Sequence, residues 1–333
     1  MVSLTPGELA TQLADLEVRV TDLRVERRDV TLPDYPGGPR PSSVVHVSGQ
    51  GATGSGEHVA FSDAEQREFA PSMAAWFGAN RERGHLSVGS ALGPDLTRYG
   101  RAALEAALID LGLRQAGLSL AELTGLREAR LRFVVSLAAD PQPLAAIARL
   151  RAASFAGDLK IDVEPTWDDA TLAALAADPS IVIFDFKGKG ELALAYRLAA
   201  LCTQSLFEDP PQGFNAPKRI SRDASLPDAP AVLAARARGE AVNLKAPRMG
   251  GPLEVLRGLE DALAPQIAGA PVLAYLGGMF EVSIGRSQAR QLAALYCPTG
   301  PNDLAPNLSG AAATTRENSP ALVSFDQPGF GAS

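Results

Sequence analysis

The chain of 333 residues is short of several things, and each shortage removes a class of function. It has three histidines, His46, His58 and His85, and two cysteines, Cys202 and Cys297. Zinc centres are built from clustered Cys and His, so none is expected here. The two cysteines fall in different predicted elements and offer no disulfide framework; they read as small packed hydrophobes of an intracellular protein. No apolar run approaches the ~20 residues that cross a bilayer. The net charge of −7 comes without a Lys/Arg-rich block, so nucleic acid is not an expected partner. The start, MVSLTPGELATQL, has no basic segment followed by an apolar core. A secretory signal is therefore not expected, and the cytoplasm is the expected compartment.

What is there suits a globular enzyme. The chain is 46% hydrophobic and 21% charged. Its length fits a barrel of about 200–250 residues plus a smaller partner. From Phe155 to Arg286, short apolar runs each end on a polar residue: GDLKIDVEP, IVIFDFKGKG, SLFEDPP, KRISRDAS, AVNLKAPRMGG and PVLAYLGGMFE. Continuous Val/Ile/Leu/Phe runs of this kind are strands buried on both faces. Between most of them lie Ala/Leu-rich helical segments such as Asp168–Ala177, Glu191–Cys202 and Leu253–Leu263. Strands alternating with helices predict parallel βα units, in a barrel or a doubly wound sheet. In a barrel the carboxyl ends of all strands meet at one face, where function sits. Those ends carry Lys160, Asp162, Asp185, Lys187, Glu208, Asp209, Asp223, Lys245 and Glu281. Carboxylates on three successive strands, flanked by lysines on the strands either side, make a candidate site.

The order of these residues resembles the enolase superfamily, in particular its muconate-lactonising and o-succinylbenzoate-synthase-like branch. FEDP, NLKAPRMGG and GGMFEVSIGR carry the resemblance most specifically. It implies a modified (β/α)8-type, (β/α)7β barrel over residues 128–305 with an α+β capping domain over 1–127. Residues 306–333, rich in Ala, Thr, Ser, Gly and Pro, are expected to wrap back or fray. Seven barrel strands are predicted, at 132–137, 159–164, 181–186, 205–208, 219–223, 241–245 and 271–276. Ala293–Cys297 is the apolar run left for an eighth. In the cap, Ala52–Val59 is glycine-rich, but no helix opens after it and no lysine follows, so it reads as the third strand of a small antiparallel sheet. A helix from Asp95 to Ala116 is expected to join cap to barrel and to end at Gly117 or, a turn later, at Gly125.

The resemblance also implies chemistry. Asp185, Glu208 and Asp223 would hold Mg2+, or Mn2+, which needs oxygen donors. The metal would hold a small substrate carboxylate while a lysine removes the proton from the adjacent carbon, leading to elimination or isomerisation. The alternative is a silent barrel that binds a ligand or partner, its Lys/Asp cluster a metal-free salt-bridge network. A homo-oligomer is compatible with either. Three departures from the family pattern stand out. Asp162 replaces the second lysine of Lys-x-Lys, Lys187 replaces the Asn of Asp-x-Asn, and the link between Glu208 and Asp223 is short, leaving Asp209 and Asp228 as spare carboxylates. Lys245 is the candidate base, with Lys187 as a second; facing a carboxylate such as Asp162 it would instead stay protonated. Lys160 would neutralise substrate charge. Glu281 would partner a lysine or a substrate oxygen, or serve as a structural acceptor. Arg248 and Arg286 would bind a carboxylate or anchor loops. Tyr35 and Arg40, in a stretch with five Pro and Gly between Pro33 and Pro39, are specificity candidates. With no barrel histidine, the His–Asp pair of mandelate-type relatives is not available.

Overall fold

The computed structural model describes residues 2–30, 40–93, 96–152, 155–216, 218–266, 270–305 and 318–331. Tyr35 and the side chain of Arg40 lie outside the described residues. The barrel strands are Val134–Leu137, Asp158–Asp162, Ile181–Asp185, Leu206–Glu208, Ile220–Arg222, Ala241–Leu244 and Ala274–Leu276. They form one seven-stranded parallel sheet in sequence order. Between them run the helices Pro143–Ala152, Asp169–Ala177, Leu192–Leu201, Ala229–Ala237 and Pro252–Leu263. Their starts follow sequence signals: Asp168 and Asp228 accept from the backbone N–H three residues on, at 2.8 and 3.1 Å. The fold is a TIM-like barrel carrying an amino-terminal capping domain.

The expected eighth strand is corrected. Ala293–Cys297 is not a strand: the helix Ile284–Tyr296 runs to its end, burying Ala289, Leu292, Ala293 and Leu295 at helical spacing. Asn302 and Asp303 complete the ring instead, through single bridges to Phe133 and Gly277. The Asn302 side chain takes over much of a strand's hydrogen bonding. Its amide donates to the carbonyls of Arg132, Cys297 and Gly300 at 2.8–3.0 Å, and its Oδ1 accepts from Leu276 N–H at 2.8 Å.

The cap holds the helices Pro6–Asp15 and Asp63–Asn80 and an antiparallel sheet of Asp22–Val30, Arg40–Gly49 and Ala52–His58. The glycines of the third strand explain themselves. A Cβ on Gly54 or Gly56 would collide with the backbone of the helix Arg98–Ala116 at Ala107 or Ala103, so strand and helix touch directly. That helix is buried nearly all round and ends at Gly117 (φ 68°); a further turn, Leu120–Thr124, ends at Gly125 (φ 71°). Ala321–Ser324 pairs antiparallel with Glu128–Leu131, and Phe330 N–H donates to Asp110 at 2.8 Å.

Cap and barrel are joined by carboxylates set at each other's helix starts. Glu57, on the third cap strand, accepts from the N–H groups of Val282, Ser283 and Gly285 at 2.8–3.1 Å, at the head of the helix Ile284–Tyr296. Glu105 accepts from Leu253 N–H at 2.7 Å, and Glu260 from Gly7 N–H at 3.1 Å. A carboxylate there satisfies orphan donors and complements the helix dipole. Glu57→Gln is expected to lower stability by about 1–2 kcal/mol in urea unfolding, since the amide has a single acceptor oxygen. Wild-type stability in this variant would remove Glu57 from the interface energetics.

Candidate active site

At the carboxyl ends of the strands, each barrel position places one polar side chain in a single connected network. Ser136 of the first strand donates to Asp303 Oδ1 at 2.7 Å. Asp303 Oδ2 lies 3.3 Å from Lys160 Nζ of the second strand. Lys160 also bonds Asp185 Oδ2 of the third strand, at 3.0 Å, and Glu208 Oε1 of the fourth. Glu208 Oε2 accepts from Tyr275 OH of the seventh strand at 2.5 Å and from Asn243 Nδ2 of the sixth at 3.0 Å. Ser221 of the fifth strand meets Tyr275 OH at 2.6 Å. Lys160, Asp185, Glu208, Ser221, Asn243 and Tyr275 are all buried. Lys160 and Glu208 thus form the hub of a polar layer inside an otherwise apolar barrel, as pairing of buried charge demands.

Two ion pairs flank this hub. Lys187 Nζ lies 2.6 Å from Asp185 Oδ2 and 2.9 Å from Asp162 Oδ1. Its backbone sits at φ 52°, held by its N–H donating to Asp185 Oδ1 at 2.9 Å, so the turn folds the lysine back over its own strand. On the other side Lys245 Nζ pairs with Asp223 Oδ2 at 2.8 Å, and Arg248 bonds Asp223 Oδ1. Gly277 makes room for Lys245: a Cβ there would meet its Cε at 2.6 Å.

The electrostatics follow from this geometry. Burial works against the Lys160 charge, but Asp185, Glu208 and Asp303 hold its proton far more tightly than usual. Burial also opposes ionisation of Asp185, and Lys160 with Lys187 overcomes it, keeping that carboxyl well below the ordinary range. Asp223 is lowered too, Lys245 and Arg248 outweighing burial. Asp303 is held at about 2, Lys160 outweighing burial. At Glu208 burial prevails over Lys160 and pushes the carboxyl up to about 7. Asp162 is raised by burial, with Lys187 partly offsetting it.

Most of the residues picked from sequence lie at this face, but not in the implied grouping. Asp185 and Glu208 meet at Lys160; Asp223 stands apart with Lys245 and Arg248. Asp162 faces Lys187 rather than Lys245. Glu281 is buried, accepts from Met279 N–H at 2.9 Å and lies 3.8 Å from Arg286. The spare carboxylates have other work: Asp209 anchors Asp223 and Ala224 by their N–H groups at 3.1 and 2.8 Å, and Asp228 caps a helix. Sequence reading missed Asp303, Tyr275, Asn243, Ser221 and Ser136. Asp303 lies past the last helix with no apolar run before it, and the others sit inside or at the end of strands that read as short apolar runs.

The donor set decides how magnesium fits. All six carboxylate oxygens of Asp185, Glu208 and Asp223 already accept from a lysine, an arginine, an amide or a hydroxyl. Four basic groups stand against five acidic ones, counting Asp162 and Asp303, so a dication would enter a nearly balanced cluster. Among the described residues no group of three or more His, Cys, Asp or Glu is placed to hold a metal ion. In this arrangement the residues do not fit Mg2+ unless Lys160 leaves the cage.

Residues 127–309 match the C-terminal domain of a family described as "Domain of unknown function (DUF8230)", and residues 11–123 match its N-terminal domain. The chain belongs to the DUF8230 family. No curated protein matches it. The fold of this chain is similar to those of solved structures, among them one described as an unknown member of the enolase superfamily from Enterococcus faecalis V583. A dipeptide epimerase from Enterococcus faecalis V583, complexed with Mg and the dipeptide L-Leu-L-Tyr, is 18% identical, with a TM-score of 0.72 over 94% of this chain and 98% of that one. A probable mandelate racemase from Alicyclobacillus acidocaldarius is 20% identical, with a TM-score of 0.72 over 92% and 91%. The muconate lactonizing enzyme from Pseudomonas putida is 19% identical, with a TM-score of 0.63 over 86% and 88%. Among the described residues no helix is long and apolar enough to cross a membrane.

Proposed function

We propose that the barrel mouth binds a small organic carboxylate and that Lys245 moves a proton on the carbon beside that group, leading to elimination or isomerisation. One observation carries the reading: a lysine stands on each side of the hub, Lys187 from the third strand and Lys245 from the sixth. Strands three apart in a ring of eight lie nearly opposite, so the two ammonium groups can flank one ligand. The lysine missing at position 162 is thereby returned at 187, with Asp162 as its partner. Lys245 pairs with Asp223 as an ammonium, so it must first leave Asp223 and give up a proton to solvent, becoming a neutral amine, before its nitrogen can take one from the ligand carbon. Developing negative charge on the ligand would be met by Lys187, which uses two of its three N–H donors on Asp162 and Asp185. Solved relatives contain dipeptide or magnesium, which supports small carboxylates as the class to screen.

Solvent deuterium exchange tests this, with dipeptides such as L-Leu-L-Tyr, N-acyl amino acids and aromatic carboxylates as candidates, in EDTA and with added Mg2+ or Mn2+. Wild type is expected to exchange the proton next to a carboxylate, and Lys245→Ala to lose that exchange while still binding. Exchange that survives Lys245→Ala would overturn the base assignment. A second reading, a barrel that binds without turnover, is favoured by the same closed pairs, since every acidic group at the mouth already has a basic or backbone partner. Binding without exchange in wild type would select it.

A further inference from the structure

The lysine at the hub lies among the carboxylates of Asp185, Glu208 and Asp303. We infer that Lys160 is the resident cation of this site, standing in for a divalent metal, and that ligand carboxylates are received without metal by Lys187.

Three observations lead there. First, Lys160 is fully within the layer, 2% exposed, and its ammonium touches Asp185, Glu208 and Asp303. An ammonium has three N–H donors; this one donates to Glu208 and lies within ion-pair distance of Asp185 and Asp303. Enclosed by three carboxylates and nearly out of reach of solvent, it holds the cage together rather than binding substrate. Second, the carboxylate oxygens around it are all partnered, although the buried amide oxygen of Asn243 has no partner. Glu208 Oε2 is closed by Tyr275 and Asn243, and Asp303 Oδ1 by Ser136, so no carboxylate oxygen in the hub is left facing a missing cation. Third, the mouth has a spare donor on a different lysine. The Lys187 side chain is 53% exposed and holds two carboxylates with two donors, which leaves one toward solvent. Asp162 is the device that keeps it there. Without Asp162, the Lys187 ammonium would be tied to Asp185 alone and free to swing out on its flexible stem.

The inference rests on the carboxylate reading above only for its ligand arm, and not for its metal arm.

The metal arm uses metal-stripped protein, thermal unfolding and isothermal titration with Mg2+ and Mn2+. Wild type is expected to show no heat of binding at millimolar ion and a change in melting temperature within about 1 °C. Lys160→Ala opens the cage and is expected to gain ion binding, seen as a rise of roughly 5–10 °C on adding Mg2+. If that variant folds too poorly to measure, the double variant Lys160→Ala/Asp303→Asn, which removes one of the three facing charges, replaces it. One-to-one Mg2+ binding by wild type overturns the inference while leaving the proton-transfer reading intact. A cage opened by either variant that still takes no ion overturns it as well. The ligand arm titrates benzoate, succinate and L-Leu-L-Tyr into wild type in EDTA. Binding is expected, and Lys187→Ala is expected to weaken it about tenfold or more with an unchanged melting temperature. Binding to wild type that appears only with added Mg2+, or is untouched by Lys187→Ala, overturns the assignment of Lys187. Metal-free binding that needs Lys187 but brings no deuterium exchange keeps this inference and sinks the proton-transfer reading.

Discussion

Replacing Lys160 by methionine, in EDTA, is expected to lower unfolding stability by roughly 3–5 kcal/mol, the cost of breaking a buried pair by removing one partner. Methionine fills nearly the same volume, so the loss is electrostatic rather than a cavity. It leaves Asp185, Glu208 and Asp303 facing one another without their shared cation. Lys187→Met is the control. Its side chain is half exposed, so water takes over part of the pairing and the loss should stay within about 1 kcal/mol. Urea unfolding followed by circular dichroism measures both. If Lys160→Met falls within 1 kcal/mol of wild type, the hub does not hold the barrel together, and its description as a structural centre fails.

The second large effect is a pH dependence at the join between cap and barrel. Glu105 is buried against the start of the helix Pro252–Leu263, with Arg101, Arg257 and Glu254 as the charged groups around it. Burial raises its carboxyl from 4.5 to about 7, the Leu253 N–H and the two arginines offsetting only part of that. The folded protein therefore holds this proton more tightly than the unfolded chain. Its contribution to stability is fully present below about 4.5, falls as pH rises toward about 7, and is flat above that. The span corresponds to a loss of roughly 3 kcal/mol at most. Glu105→Gln, which cannot ionise and still offers an oxygen to Leu253, should remove that component from the pH profile. Parallel profiles for wild type and variant, measured by urea unfolding across this range, would show that Glu105 does not titrate as its burial implies.

Reading the chain without its structure went furthest where the signal is periodic and local. The barrel strands are continuous apolar runs because both faces are buried, and helices between them bury Leu and Ala at helical spacing. Caps such as Gly117 and Gly125 are legible because one residue's chemistry fixes a helix end. Ala293–Cys297 misled for the same reason. A short apolar run is ambiguous between a buried strand and the last turn of a buried helix. The closing segment needed no apolar run, since the Asn302 side chain supplies bonds that a strand's backbone would give.

By itself, then, the sequence determined the alternating strands and helices and the strand ends on which Lys160, Asp185, Glu208, Asp223 and Lys245 stand, while the barrel and its cap came with the family resemblance. The tertiary structure decided who pairs with whom. The six carboxylates and three lysines at the strand ends allow several groupings, and spacing along the chain does not distinguish them. Distances across the barrel do: they put Lys160 between Asp185 and Glu208, bring Asp303 from beyond the last helix, and hand Asp223 to Lys245 and Arg248. Buried charge is stable only where such partners converge from separate strands, a condition of three-dimensional closure that no local pattern records.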